Sequence, residues 1–316
     1  MRSTGPAAGP RSVALLVALV TLLAACSADA TPAPATTGAV TSTPSSTGAT
    51  VTAGQAFGQP PTIAVPATVP PPTALATQVL TQGAGSTVAS GQVVVADLYG
   101  QTWDRRDGRP NVFDNSFARK LPSSFPIGIG RVIKGLDRTL IGLQVGTRLL
   151  VTIPADLGFG TAANPKKPLA GHALVFVVDV RDVLELHSAA TGAPAGPLPQ
   201  GLPVVVSISG KKPTIRSSTG VKAGTTPRSG LLLRGSGDTI DPTKVLALQV
   251  IATDLATGKK AKDTWGNRPD IAAARNVLTL VKALTGQNVG SRAVAVTPAR
   301  GKIPGQILLI DVIAQY

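Results

Sequence analysis

Residues 131–154 read RVIKGLDRTLIGLQVGTRLLVTIP. In the first part, Ile133, Leu136, Leu140 and Leu143 fall on one face at helical spacing, which predicts a short helix over 133–143. The second part, RLLVTI at 148–153, is a short apolar run of the strand type. This helix-then-strand unit occurs twice. Leu136, Leu140, Gly142, Val145, Gly146, Arg148 and Pro154 are matched 144 positions later by Leu280, Leu284, Gly286, Val289, Gly290, Arg292 and Pro298. Gln82-Gly83-Ala84-Gly85 returns as Arg234-Gly235-Ser236-Gly237, and Asp179-Val180 as Asp311-Val312. Ordered matches with drifting offsets imply a tandem duplication whose loops have changed length. In the second copy a helix is expected over 270–284, with Ile271, Ala274, Leu278, Val281 and Leu284 on one stripe and Asp270 as its cap.

Working outward, strand-like runs appear at 92–99 (QVVVADLY) and 174–180 (LVFVVDV), punctuated by Gly, Pro, Asn and Asp. Strands outnumber helices, so the expected class is α+β with antiparallel sheets. Hydrophobic residues make up 43% of the chain but aromatics only 3%, so the cores must be built from Val, Leu, Ile and Ala. The net charge of +14 is uneven. Residues 186–316 carry sixteen Lys or Arg against six acids, a net of +10. Such a surface favours anionic lipid headgroups or wall polymers as neighbours, or serves only to keep the chain soluble. Nucleic acid is not expected as a partner, because no motif for it is present.

The N-terminal part has a different texture. Arg2 and Arg11 flank the apolar run VALLVALVTLLAA at 13–25, which ends at Cys26, the only cysteine. A basic flank, a short apolar run and small residues before the cleavage point make a secretory signal. The run is too short to remain as a membrane span, which needs about 20 apolar residues. Leu23-Ala24-Ala25-Cys26 resembles the lipobox of bacterial lipoproteins. That resemblance implies cleavage after Ala25 and a diacylglyceryl thioether on Cys26. The alternative is an ordinary signal with an incidental cysteine. Residues 27–72 are Thr, Pro, Ala, Ser and Gly with scattered Val, a composition expected to stay disordered and act as a stalk.

Several chemistries lack their parts. The two histidines, His172 and His187, have no cluster of Cys or carboxylate around them, so a metal site is not expected. No nucleophile elbow or phosphate loop occurs, and no cofactor is implied. What the first copy does contain is a series: Val112-Phe113-Asp114-Asn115-Ser116, Phe125-Pro126-Ile127-Gly128, Arg131-Val132-Ile133-Lys134-Gly135-Leu136-Asp137, Leu157-Gly158-Phe159-Gly160 and 174–180. In order and spacing, residues 78–185 resemble the FKBP-type peptidyl-prolyl cis-trans isomerase (rotamase) family.

The resemblance implies a twisted antiparallel sheet wrapped around one short helix, with a pocket between them. It implies pocket residues at Phe113, Asp114, Val132, Ile133, Leu136, Phe159 and Phe176, and Xaa-Pro segments of exported polypeptides as substrates. Phe113, Ile133 and Phe176 also read as ordinary core, and Asp114 as a turn residue. The expected organisation is a signal peptide over 1–25, a stalk over 26–72, an FKBP-like domain over 73–187, a linker over 188–201 and a degenerate FKBP-like domain over 202–316. The protein is then an extracytoplasmic, lipid-anchored isomerase, with a non-catalytic peptide-binding or chaperone module as the alternative.

The sequence departs from the family at several points. The pocket floor, usually Trp, is Leu136, and the usual Tyr of the early strand aligns with Leu98, beside Tyr99. Phe159 lacks a hydroxyl where the family has Tyr, and Ser123 stands where an aromatic is expected. Each lost hydrogen bond costs about 0.5–1.5 kcal/mol, so weakened activity is expected. In the second copy, Thr264-Trp265-Gly266 is read as the counterpart of Phe113-Asp114, and Leu308 replaces Phe176.

Overall fold

The computed structural model describes residues 48–162, 168–218 and 220–316; the expected signal peptide and Cys26 lie outside them. The first half contains β1 (Thr50–Ala53), β2 (Thr62–Ala64), β3 (Ala76–Thr81), β4 (Gln92–Arg106) and β5 (Arg109–Asn115). It continues with α1 (Ser116–Arg119), β6 (Ser123–Pro126), α2 (Lys134–Leu140), β7 (Arg148–Ile153) and β8 (Leu174–Glu185). The second half contains β9 (Ala193–Pro194), β10 (Val204–Val206), β11 (Thr214–Ser217), β12 (Arg228–Arg234), β13 (Val245–Asp254) and β14 (Lys260–Asp263). It ends with β15 (Asp270–Ala273), α3 (Ala274–Leu280), β16 (Arg292–Thr297) and β17 (Gln306–Gln315). Of the two larger antiparallel sheets, the first runs β3-β7-β8-β4-β5 with β6 on β4 and the second runs β14-β13-β17-β16-β12-β9 with β15 on β13, while β1-β2 and β10-β11 each form a separate two-stranded sheet. The expectation of antiparallel sheets with little helix holds.

Strand β7 explains the layering. It is buried along its whole length. Side chains alternate between the faces of a strand, so a strand buried at every position has cover on both sides. Leu149, Val151 and Ile153 pack toward Leu136 and Leu140 of α2, together with Val94, Ala96, Phe176 and Val178. Leu150 packs on the opposite face with Val175, Val177 and Trp103, where Ala49, Val51, Ile63 and Val65 of the β1–β2 region cover it. The expected disorder up to Pro72 is therefore corrected from Gly48 onward. The sparse Val and Ile of this stretch bury against a sheet built elsewhere, which its own composition cannot reveal. The second sheet is covered alike: Val205 of β10 and Ile215 of β11, with Leu198 and Leu202, pack on Val294, Val296, Ile307 and Leu309.

Beneath each cover lies a buried ion pair. Arg148 and Asp179 face each other across β7 and β8, and Arg292 and Asp311 across β16 and β17. The contacts are 3.2 Å and 2.6 Å, and all four side chains are fully buried. The covering segments hydrogen-bond to both pairs. Gly58 N–H donates to Asp179 at 2.7 Å, and Arg148 donates to the Gln59 carbonyl. Ala190 N–H donates to Asp311 at 2.7 Å, and Arg292 donates to the carbonyls of Ile208 and Lys211. The residues that repeat in the sequence thus form a buried pair twice, doubly hydrogen-bonded at Arg292 and Asp311 and looser at Arg148 and Asp179. Removing one partner of such a pair strands a buried charge. Asp311→Ala should cost about 3–5 kcal/mol and lower the melting temperature by roughly 6–20 °C. An unchanged thermal melt would contradict that role.

Three sequence readings need correction. The first helix ends at Leu140, because Ile141 turns extended and Gly142 takes φ +86°. The second helix spans only Ala274–Leu280: residues 270–273, expected to begin it, instead pair with β13, and Asp270 forms an ion pair with Lys262 rather than capping. The expected linker over 188–201 belongs to the second sheet, since β9 pairs with β12 and Ala190 is buried. Both sheets fall in one compact unit. Tyr316 donates to Asp182 across the halves at 2.9 Å, and Ser124 donates to the Pro269 carbonyl at 2.7 Å.

Candidate functional site

The concave side of the first sheet faces α2, and Gly100 of β4 sets what stands there. In register, Gly100 lies between Asp114 on β5 and Phe176 on β8. A Cβ at Gly100 would come within 2.6 Å of the Phe176 ring and 3.1 Å of the Phe113 ring. Its absence lets the two rings meet edge to face at 5.4 Å, while Phe159 meets Phe113 in the same manner at 6.3 Å. Such T-shaped pairs are worth about 0.5–1.5 kcal/mol beyond their buried area. Phe113 and Asp114 are further fixed by the bend that follows them. Asn115 caps α1 by accepting from Ala118 N–H, and Ser116 Oγ donates to Asp97 while accepting from Leu98 N–H.

The opposite wall comes from the loop before α2. The Asp137 carboxylate accepts from Gly128 N–H at 2.6 Å and from Gly130 N–H at 3.1 Å. That closure delivers Val132 and Ile133 to the cleft and Leu136 to its floor. Gly135 lets α2 approach closely, since a Cβ there would lie 2.4 Å from the Ile153 side chain.

The result is a cleft of 360 Å³ lined by Leu98, Phe113, Asp114, Ser123, Ser124, Phe125, Val132, Ile133, Leu136, Phe159, Phe176 and Arg268. All seven residues singled out in the sequence meet here. Asp114 is paired with Arg119 at 2.7 Å, and Arg119 also donates to Ser123 Oγ at 3.3 Å. The lining is mainly apolar, with this pair at the Ser123 side. Alternation along β4 separates Leu98, which lines the cleft, from Tyr99, which packs on the outer face. Tyr99 therefore does not replace the missing tyrosine. His172 pairs with Asp104 and is not part of the lining.

Sequence reasoning missed Arg268. It lies in the second half, 144 positions from Ser124, and no local pattern marks it. It also misplaced the counterpart of Phe113-Asp114 expected in the second half. Thr264 Oγ1 bonds Val250 N–H and Gln249 as Ser116 Oγ bonds Leu98 N–H and Asp97. Thr264 therefore stands where Ser116 does. Register then puts Lys262 opposite Ala252, the place that Asp114 holds opposite Gly100. Trp265 packs on the outer face of the second sheet, not in a cleft against α3.

The family model described as FKBP-type peptidyl-prolyl cis-trans isomerase matches residues 85–181. The chain is 34% identical over 111 residues to the FK506-binding protein of Streptomyces anulatus, covering 35% of this chain and 86% of that protein. It is 42% identical over 74 residues to peptidyl-prolyl cis-trans isomerase FKBP15-2 of Arabidopsis thaliana, covering 23% of this chain and 45% of that protein. The crystal structure of FkpA from Escherichia coli aligns at 33% identity and a TM-score of 0.31, covering 36% of this chain and 49% of that one. The chain spans about half the length of several curated relatives it matches, 45%, 53% and 42% for the first three. Those relatives are named peptidyl-prolyl cis-trans isomerases. The chain covers most of the Streptomyces protein, and the family model falls on the half that holds the cleft; on that ground the chain belongs to the FKBP-type peptidyl-prolyl cis-trans isomerase family.

Proposed function

We propose that the first half catalyses cis-trans isomerisation of Xaa-Pro bonds in exported polypeptides, assisting their folding just outside the membrane. The observation that carries this is the convergence of Phe113, Val132, Ile133, Phe159 and Phe176 around one apolar cleft, with Asp114 held by Arg119 at its side. Rotation about the peptide bond faces about 18–20 kcal/mol because amide resonance must be broken. The two Xaa-Pro isomers differ by only about 0.5–1 kcal/mol, so the problem is kinetic. No proton transfer or nucleophile is needed. The ring wall takes the proline side chain and strips water from the amide, which loses less on twisting in an apolar site. Asp114 and Arg119 orient the polar edge of the bound chain.

Leu136, Ser123 and Phe159 favour a second reading, a peptide-binding or chaperone module without turnover, because they leave a smaller floor and fewer donors. Coupled cis-trans kinetics with Asp114→Ala separate the two readings. The isomerase reading expects acceleration by the whole chain and a several-fold loss in the variant. No acceleration, with retained peptide binding, would establish the module.

We also infer that the second half is a duplicated, non-catalytic repeat. Its support is the second buried ion pair, Arg292 with Asp311, in the register of Arg148 and Asp179, together with Lys262 and Leu308 at the positions of Asp114 and Phe176. Its net +10 suits anionic lipid or wall polymer nearby. Lipid attachment at Cys26 would hold the whole outside the membrane. A two-chain lipid anchors stably at about 0.8 kcal/mol per buried CH₂. Cys26→Ala should move the protein from the membrane fraction to the soluble fraction; retention in the membrane would refute the anchor.

A further inference from the structure

We infer that Arg268 is a specificity-determining residue of the cleft, supplied by the second half, and that it selects proline segments carrying an acidic residue beside the proline. The inference rests on the reading of the cleft as a proline site.

The loop that carries Arg268 is seated firmly. Ser124 Oγ donates to the Pro269 carbonyl at 2.7 Å, and Pro269 is buried. Arg131 donates to Asn267 Oδ1 at 2.9 Å. Beyond Pro269, β15 continues into the second sheet. Two short side chains, Ser123 and Ser124, leave the room that this loop fills, and Arg268 thereby joins the cleft lining.

Its guanidinium remains available. Among the described residues its guanidinium makes one hydrogen bond, to the Ser124 carbonyl, long at 3.5 Å. Among the described residues Arg268 has no ion pair, whereas the neighbouring Arg119 is committed to Asp114. An arginine has five donors in a fixed fork that matches a carboxylate. Arg131, by contrast, is bonded to the Gly266 carbonyl and to Asn267 and does not line the cleft. A peptide carboxylate next to the bound proline would meet this free fork of Arg268, and a lysine there would be repelled.

The test measures isomerisation by the whole chain on three peptide sets that differ only in Glu, Ala or Lys immediately before or after the proline. Anisotropy with the same peptides reads binding independently of turnover. An exposed charge pair predicts about a two- to five-fold preference for Glu over Ala in at least one position. The preference should fade as salt rises from about 20 to about 500 mM. Arg268→Ala should bring the Glu/Ala ratio to one, Arg268→Glu should invert it toward Lys, and Arg268→Lys should keep part of it. Ratios are the readout, so a change in overall rate leaves the comparison between peptides intact. Equal ratios in the wild-type chain, or a preference that survives Arg268→Ala, would overturn the inference while turnover upholds the isomerase. Binding preference without turnover would support Arg268 and refute catalysis. Neither binding nor turnover would sink both.

Discussion

A chain begun at residue 73 should lose its cooperative unfolding transition, or melt at least about 15 °C below the whole chain. Residues 48–72 cover the outer face of the first sheet, where Val51, Ile63 and Val65 pack on Trp103, Leu150, Val175 and Val177. Burial of each such Val or Ile is worth about 1.5–3 kcal/mol, before counting the sheet residues left bare. The same stretch supplies Gly58 N–H to Asp179 and the Gln59 carbonyl to Arg148. Its removal opens the edge of a buried ion pair whose charges were kept from water. Together these losses approach the whole stability of an ordinary domain, about 5–15 kcal/mol. Thermal and urea melts of the truncated and whole chains decide the matter. Coincident transitions would mean that the β1–β2 region adds nothing to the fold.

That truncation point is the boundary the sequence suggests, and the mismatch has a physical reason. Residues 131–154 report their own structure, because helical and strand spacing are local properties. The cleft residues are legible for the same reason: they fall in short motifs whose spacing a resemblance can register. Residues 48–72 have too few apolar side chains to make a core, and only the neighbouring sheet gives those few a place. Asp270 and Ile271 fit a helix by pattern, yet β13 offers them a strand partner, and tertiary pairing overrides the pattern. Thr264 reads as the counterpart of Phe113 rather than of Ser116 because no aromatic in β14 fixes the register; its hydroxyl contacts fix it instead. Arg268 is invisible in the sequence, since its role depends on a contact between halves.

Phe113→Ala should lower kcat/KM on a Leu-Pro peptide by about ten- to a hundred-fold, the effect of losing some 1.5–3 kcal/mol of apolar contact in the cleft. Phe113 is the better test than Phe176. It is only partly buried, while Phe176 sits in the core, where truncation costs about 3–5 kcal/mol of stability and confounds the assay. The Phe113 ring also holds Phe159 and Phe176 in their edge-to-face arrangement, so its loss loosens two walls at once. A fall in kcat with little change in KM would place the contact in the twisted amide; a rise in KM alone would make it a binding contact only. Activity unchanged by the substitution would move the site elsewhere on the molecule.

Whether the cleft of the first half speeds rotation of an Xaa-Pro bond is tested most directly by exchange NMR. A short Leu-Pro peptide is observed at equilibrium, with the whole chain present in catalytic amount. Without protein the isomers interconvert over tens of seconds. Catalysis at the cleft predicts exchange cross-peaks between cis and trans signals on the second timescale or faster, abolished or strongly reduced by Phe113→Ala. Cis and trans signals that exchange no faster than in the peptide alone would contradict it.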